Sequence, residues 1–298
     1  MPEPLLIVIT GPTGSGKTDL SLQLAEHYGC DIISADSRQI YRGIPIGTAA
    51  PGKTQLERVR HHFVGTLELD RYYSAACFEN DVVNLLPSLF STNNVQIMCG
   101  GSMMYVDAVV YGIDELPTIS PETRQNVSEL FQREGLPGLR MLLRTLDPDY
   151  LAKADPANHK RLIHAIEVSL QAGVPYSSLC TGQKKQRPFK TIQLAIEHSR
   201  DQLFSRINTR TEKMIADGLV EEARSVYPLR HLNSLNTVGY KEMFAYFDGT
   251  FTLRQATDRM AKNTRVYAKK QLTWLKRNPH IKWLPPTNTF QEALKAIK

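Results

Sequence analysis

The chain has 298 residues, 42% hydrophobic and 22% charged, with 18 Gly and 17 Pro; at roughly 150 residues per domain this suggests two domains or one core with a large insertion, and it excludes disordered or low-complexity states. Its four cysteines, Cys30, Cys77, Cys99 and Cys180, form no C-x-x-C pair, which excludes a zinc knuckle or disulfide framework and favours a reducing, cytoplasmic setting. Net charge is +6, and the excess is concentrated in Arg254 to Lys282, where nine Lys/Arg face one acid; such a face suits a solvated helix, an anionic membrane surface or nucleic acid, and charge alone does not choose.

The chain opens on MPEPLLIVIT, with no basic stretch before its short apolar run, and no segment holds the ~20 apolar residues of a membrane helix. No targeting or spanning segment is therefore expected. Leu5 to Thr10 reads as a buried strand, and Lys17 to Tyr28 as a helix with Leu20, Leu24 and Tyr28 on one stripe, closed by Gly29. Asp31 to Ala35 reads as a second strand ending at Asp36, Val95 to Cys99 as a third ending in Gly100-Gly101, and Thr191 to Ile196 as a fourth. The alternation predicts an α/β fold: a P-loop NTPase-like, doubly wound, mostly parallel sheet. Residues 113–190 carry helical patterns without a convincing strand and read as a helical insertion between core parts 1–112 and 191–298. Its last helix places Leu162, Ile166 and Leu170 on a packing face and Lys160, His164 and Glu167 on the other. Gly182 to Pro188 reads as a polar, hinge-like return. Helices follow at Leu203 to Met214, Val220 to Val226 and Leu253 to Leu275, before a closing IKWLPP.

Gly11, Pro12, Thr13, Gly14, Ser15, Gly16, Lys17 and Thr18 match G-x-x-x-x-G-K-[ST] between the strand and helix that this pattern requires. The glycines let the backbone wrap a diphosphate closely, Lys17 neutralises phosphate oxygens, Thr18 offers a hydroxyl to Mg²⁺, and the helix N-terminus adds partial positive charge. The pattern specifies a diphosphate but not its carrier. No N-K-x-D guanine signature appears, and no later strand ends in the acid of a typical Walker B motif. Asp36 is the acid placed at the carboxyl edge of the sheet. It reads either as a loop cap or as a chemical group, and its position beside the phosphate loop favours chemistry.

Ser34 to Gly43 (SADSRQIYRG), followed by Ile46 to Pro51 (IGTAAP), resembles the signature of the tRNA dimethylallyltransferases. In order along nearly the whole chain, the phosphate loop, His61-His62, Tyr73 to Phe78, Gly100-Gly101-Ser102, Lys160 to Val168, Arg206 to Arg210, Thr237 to Tyr240 and Ala268 to Trp274 agree with it. The resemblance implies transfer of a dimethylallyl group from dimethylallyl diphosphate to N6 of the adenosine immediately 3′ of the anticodon in tRNA. The phosphate loop would then hold a prenyl diphosphate in place of a nucleotide, with Mg²⁺ as cofactor and Thr18 as its protein ligand. Asp36 becomes the general base, and Thr13, Ser102 and Arg210 join it as catalytic residues, with Arg206 the fallback for the diphosphate arginine.

The same resemblance implies that Asp36, Ser37, Arg38, Gln39 and Ser102 meet an extruded adenine. The anticodon stem-loop would be held by Arg124, Lys160, Arg161, Leu162, Ile163 and His164 of the insertion and by Thr237, Val238, Gly239 and Tyr240, with a core aromatic near a turn the equal alternative for Tyr240. Lys269 and Lys270 would bind phosphates. Four positions depart from the family pattern: Ser102 for Thr, Gly14 for Ala, Lys160 for Gln and His164 for Arg. The Gly14 change is expected only to loosen the loop. Trp274 is expected to pack, while Cys77, Cys99, His61 and His62 are expected to be structural. A monomer with no membrane partner is implied. Two rivals remain open at this point. A small-molecule or nucleotide kinase would use the insertion as a lid but leaves the basic C-terminus unexplained, and a P-loop RNA-binding ATPase or scaffold gives Asp36 no task.

Overall fold

The computed structural model describes residues 3–298. Strand β1 (Leu5–Thr10) has Leu6, Ile7, Val8 and Ile9 wholly buried, so it is covered on both faces, which is why it reads as a continuous apolar run. There follow α1 (Lys17–Tyr28), β2 (Ile32–Ser34), α2 (Pro45–Thr48), α3 (Lys53–Arg58), β3 (His61–His62), α4 (Ala75–Thr92), β4 (Val95–Gly100) and α5 (Met103–Tyr111). The insertion carries α6 (Pro121–Leu146), α7 (Pro148–Lys153), α8 (His159–Ala172) and α9 (Tyr176–Leu179). The chain ends with β5 (Lys190–Ile196), α10 (Arg200–Ala216), α11 (Leu219–Val226), α12 (Tyr240–Phe247), α13 (Leu253–Leu275), β6 (Ile281–Leu284) and α14 (Thr289–Ile297).

The strands form one sheet in the order β3-β2-β4-β1-β5-β6, and every pairing is parallel. The carboxyl ends of β1 and β4 are in register, Thr10 opposite Gly100, so the loops that follow these strands open at one edge. Two strands escape sequence reading, and both are sheet edges. β3 has two residues, too few to carry a period, and β6 sets Lys282 and Trp283 between its buried ends Ile281 and Leu284. His61 and His62 are structural, as expected: His61 Nδ1 lies 2.8 Å from the Val59 carbonyl and His62 Nε2 2.8 Å from Asp31 Oδ2.

The chain forms two compact units, one comprising the chain up to Tyr111 together with Gln186–Lys298, the other Gly112–Lys185. The insertion therefore closes before Lys190. Arg187 is already part of the core, where its guanidinium donates to Glu79 Oε1 at 2.6 Å and to the carbonyls of Ala108 and Val109 at 2.7 and 2.8 Å. Within the second unit, α6 is broken at Gly135, two residues before Pro137, and packs Val127, Leu139 and Leu143 against Leu162, Ala165 and Ile166 of α8. Leu170 departs from expectation and is 44% exposed. At about 100° per residue, position i+8 has rotated roughly 80° away from Leu162, while i+7 returns to within about 20°. Ser169 takes the buried place instead.

Candidate active site

The loop after β1 is shaped by its own carbonyls and by two helices of the same unit. Lys17 Nζ donates to the Pro12 carbonyl at 3.1 Å, and Arg210 Nη1 donates to the Thr13 hydroxyl at 3.0 Å. From the other side, Arg206 Nε donates to the Gly14 carbonyl at 2.6 Å. The two candidate arginines are thereby separated: Arg210 lines the main cavity, whereas Arg206 braces the loop from outside it. Gly14 has φ +83°, and a Cβ there would lie 3.2 Å from Ile207 Cγ1. The expectation that this glycine merely loosens the loop needs correcting, because its backbone and its neighbour both disfavour a side chain.

Asp36 serves as a loop cap and also faces the cavity. Its Oδ1 accepts from the N–H groups of Arg38 (2.9 Å) and Gln39 (3.3 Å), while Oδ2 has no hydrogen-bond partner among the described residues. One oxygen folds the turn and the other is available for chemistry. Ser102 accepts from the Ser37 N–H at 2.8 Å and donates to the Ser37 hydroxyl at 3.2 Å, which ties the β4 loop to the β2 loop. Arg38 and Gln39 are more committed than a reader of RNA should be. Arg38 Nη1 donates to the carbonyls of Asn233 and Ser234, and Gln39 Nε2 to those of Thr48 and Ala49, while Gln39 Oε1 accepts from Ser34.

These loops enclose a cavity of about 470 Å³. Thr13, Lys17 and Thr18 form one part of its lining, Asp36 to Gln39 and Gly100 to Ser102 a second, and Ile207, Arg210 and Met214 a third. Thr237, Val238, Met260 and Tyr267 add a mixed wall. Burial lowers the Lys17 pKa from its ordinary 10.5; the nearby Cys99 thiol and Asp36 oppose that shift and Arg210 reinforces it. Burial likewise lowers Arg210, with Asp36 raising it. Two desolvated cations facing one carboxylate make a positive pocket matched to an anion.

The remaining expected tRNA residues divide by exposure. Lys160, Arg161, His164, Arg124, Lys269 and Lys270 are exposed, and Ile163 is half-buried. Desolvation holds the His164 pKa below its usual value, with the charge of Arg124 adding to the effect. Lys269 Nζ, Arg265 and Arg200 gather around the Phe204 ring, so the basic helix presents its charge together with α10. Leu162 and Tyr240 are wholly buried and cannot touch RNA, which overturns the RNA expectation for both and bears out the packing face read for Leu162 and the core reading of Tyr240. Leu162 fills the insertion core. Tyr240 donates to Glu222 Oε1 at 2.5 Å, and the Ile44 carbonyl lies 3.2 Å from its hydroxyl. Gly239 is buried too, while Thr237 and Val238 line the cavity. Trp274 is 38% exposed and donates from Nε1 to Asp107, so it packs at a surface.

Two site residues were missed in the sequence. Gln271, 2% exposed, accepts from the Thr13 N–H and donates to the Gly101 carbonyl. Glu242, 4% exposed, accepts from the Gly239 N–H and from Asn263. The available signal was a polar residue on an apolar stripe: Gln271 lies on the stripe of Met260, Ala268 and Leu275, and Glu242 sits among Tyr240, Met243 and Phe244. A buried polar side chain in such a place must have partners.

The sequence pattern of the family described as "IPP transferase" matches residues 39–278. The chain is 52% identical over 284 residues to tRNA dimethylallyltransferase 2 of Parabacteroides distasonis, covering 95% of each chain. It is 51% identical over 286 residues to tRNA dimethylallyltransferase 1 of Phocaeicola vulgatus, covering 96% of this chain and 95% of that one. Among solved structures, the full-length tRNA isopentenylpyrophosphate transferase of Bacillus halodurans superposes with a TM-score of 0.71 at 31% identity, covering 99% of this chain and 94% of that one. A eukaryotic dimethylallyltransferase described as acting on tRNA shares the fold, with a TM-score of 0.81 at 23% identity over 99% of this chain and 77% of that one.

Proposed function

The chain belongs to the IPP transferase family, and on that premise we propose that it transfers the dimethylallyl group of dimethylallyl diphosphate to N6 of the adenosine 3′-adjacent to the anticodon in tRNA, releasing diphosphate. The observation that carries this reading is the convergence of Lys17, Arg210 and the free Oδ2 of Asp36 on one cavity. Lys17 and Arg210 are suited to the charge that develops on a departing diphosphate. The adenine amine is a poor nucleophile because its lone pair is delocalised into the ring. Asp36 Oδ2 accepts its proton as the C–N bond forms, while Oδ1 keeps the turn in place.

The apolar members of the wall, Ile207, Met214, Val238 and Met260, suit a five-carbon prenyl chain. Thr18 lines the cavity with its hydroxyl free of hydrogen bonds among the described residues, so it fits Mg²⁺, an ion held mainly by phosphate oxygens and water with few protein ligands. Bound there, Mg²⁺ would supply Lewis-acid stabilisation of the leaving oxygens. The target base must leave its stack to reach such a site. The exposed Lys160, Arg161 and His164 of the insertion and Lys269 and Lys270 of α13 supply cations and a polar ring for the anticodon arm.

The test is incubation with labelled dimethylallyl diphosphate or ATP, Mg²⁺ and unmodified tRNA. Label is expected in RNA at the adenosine next to the anticodon. ATP consumption without label transfer would instead support a kinase.

A further inference from the structure

Gln271 sits on the inward stripe of α13, while its neighbours Lys269 and Lys270 are exposed. Its amide is used at both ends: Oε1 accepts from the Thr13 N–H at 2.9 Å, and Nε2 donates to the Gly101 carbonyl at 2.8 Å. Those two groups belong to the loops that follow β1 and β4, neighbouring strands in register at Thr10 and Gly100. Gln271 therefore spans the mouth of the sheet. The fit is close, since a Cβ at residue 101 would lie 2.7 Å from Nε2 and 3.7 Å from Lys17 Nζ. Beyond Thr13 the chain of contacts continues, because its hydroxyl accepts from Arg210. The order is Gly101 carbonyl, Gln271, Thr13, Arg210, drawn from four separate elements.

We propose that Gln271 is a positioning residue for the diphosphate: it fixes the phosphate loop against the β4 loop, and through Thr13 it sets the place of the Arg210 guanidinium. An amide can accept from one loop and donate to the other at the same time, which neither an apolar side chain nor a carboxylate can do. The consequence for α13 is a division of labour along a few residues, with RNA charge outward and diphosphate geometry inward. The inference rests on the transferase reading above.

The experiment uses the full-length chain with Mg²⁺, measuring dimethylallyl diphosphate binding by calorimetry, tRNA binding by filter retention and transfer by single turnover. Gln271→Met keeps the length and removes both polar ends. It is expected to weaken diphosphate affinity about tenfold or more while tRNA affinity stays within about twofold. Gln271→Glu adds a signature that a merely structural role would not give. As a carboxylate it repels the Gly101 carbonyl; once protonated it donates there and accepts from Thr13, as the amide does. Its transfer rate relative to wild type should therefore climb as pH is lowered. The charged groups that line the same cavity, Lys17, Asp36, Arg38, Arg210, Lys241 and Glu242, are present in both proteins, so the difference between the two pH profiles belongs to residue 271. A Met variant with unchanged diphosphate affinity overturns the proposal, as does one that loses tRNA instead. If the Met variant does not fold, the Glu variant decides, and a ratio flat with pH overturns it. Wild-type protein that transfers no label at all would count against the transferase reading itself.

Discussion

Arg210 Nη1 donates to the hydroxyl of Thr13 at 3.0 Å, joining α10 to the middle of the phosphate loop. The guanidinium is thereby aimed before any diphosphate arrives. Arg210→Ala should lower the transfer rate by about 10²–10³-fold, the usual loss when a preorganised charge donor is removed from a reacting site. Thr13→Ala should cost less, and the double variant should lose less than the product of the two, because they act through one contact. Single-turnover rates of all three variants check this; strictly multiplicative losses would contradict it.

Asp36→Asn keeps an oxygen to cap Arg38 and Gln39, so the turn should survive while the base is lost. Turnover should fall by about 10²–10⁴-fold with both substrate affinities little changed. A single-turnover rate close to wild type at saturating substrates would return Asp36 to a purely structural role.

Lys17 has its pKa lowered by burial in the free protein, and an anionic ligand raises it again. Between the free and bound values, binding of dimethylallyl diphosphate must take up protons. Affinity should be strongest below the free-state pKa and weaken as pH rises through that window, with Arg210 remaining charged throughout. Calorimetry in buffers of different ionisation enthalpy, at pH high enough for full ionisation of the diphosphate, reads the uptake directly. Buffer-independent heats up to the ordinary lysine value of 10.5 would refute it.

Replacing Lys269 and Lys270 by Glu should weaken tRNA binding and leave dimethylallyl diphosphate affinity unchanged. Each phosphate contact contributes about 0.7–0.9 to the salt slope, so the slope should flatten by about 1.5 if both lysines reach phosphates. Binding titrations across salt concentrations decide the matter, and an unaltered slope excludes these lysines from the interface.

Tyr240→Phe removes a buried hydroxyl bonded to Glu222, whose carboxylate also accepts from the Ile46 and Gly47 N–H groups. It should lower stability by about 1–3 kcal/mol and leave tRNA affinity untouched at temperatures where the variant is folded. Denaturant melts and binding curves test both halves; a specific loss of tRNA affinity would restore Tyr240 to the RNA surface.

The central sheet and the phosphate loop were legible because their signals are local: continuous apolar runs, glycine spacing and a helix with a stop. Helix α13 was readable to its ends, Leu253 and Leu275, since Thr252 and Gln255 form a capping box at its start. Edge strands β3 and β6 were not, because a strand of two or four residues at a sheet edge carries no period. In the site, Lys17, Thr18, Asp36 and Arg210 announced themselves by motif and resemblance. Gln271 and Glu242 did not: the partners of Gln271 are backbone groups of Thr13 and Gly101, far away in sequence, and Glu242 joins the Gly239 N–H beside it to the side chain of Asn263 on another helix. Tyr240 and Leu162 show the opposite failure: belonging to a block that resembles an RNA-contact motif does not decide which member of the block points outward.

The core residues that flank the insertion, Tyr111 and Arg187, are held at neighbouring places in the core. Tyr111, the last residue of α5, accepts through its hydroxyl from Gln193 and Asn278, and Arg187 grips the carbonyls of Ala108 and Val109 in that same helix. Gly112 and Lys185 also meet, since a Cβ on Gly112 would fall 2.5 Å from Lys185 Cγ. The chain thus enters and leaves the insertion at neighbouring residues, Gly112 and Lys185. Such an attachment leaves the order of the sheet indifferent to what is mounted there, so the mounted helices can be lengthened, shortened or exchanged without rethreading any strand.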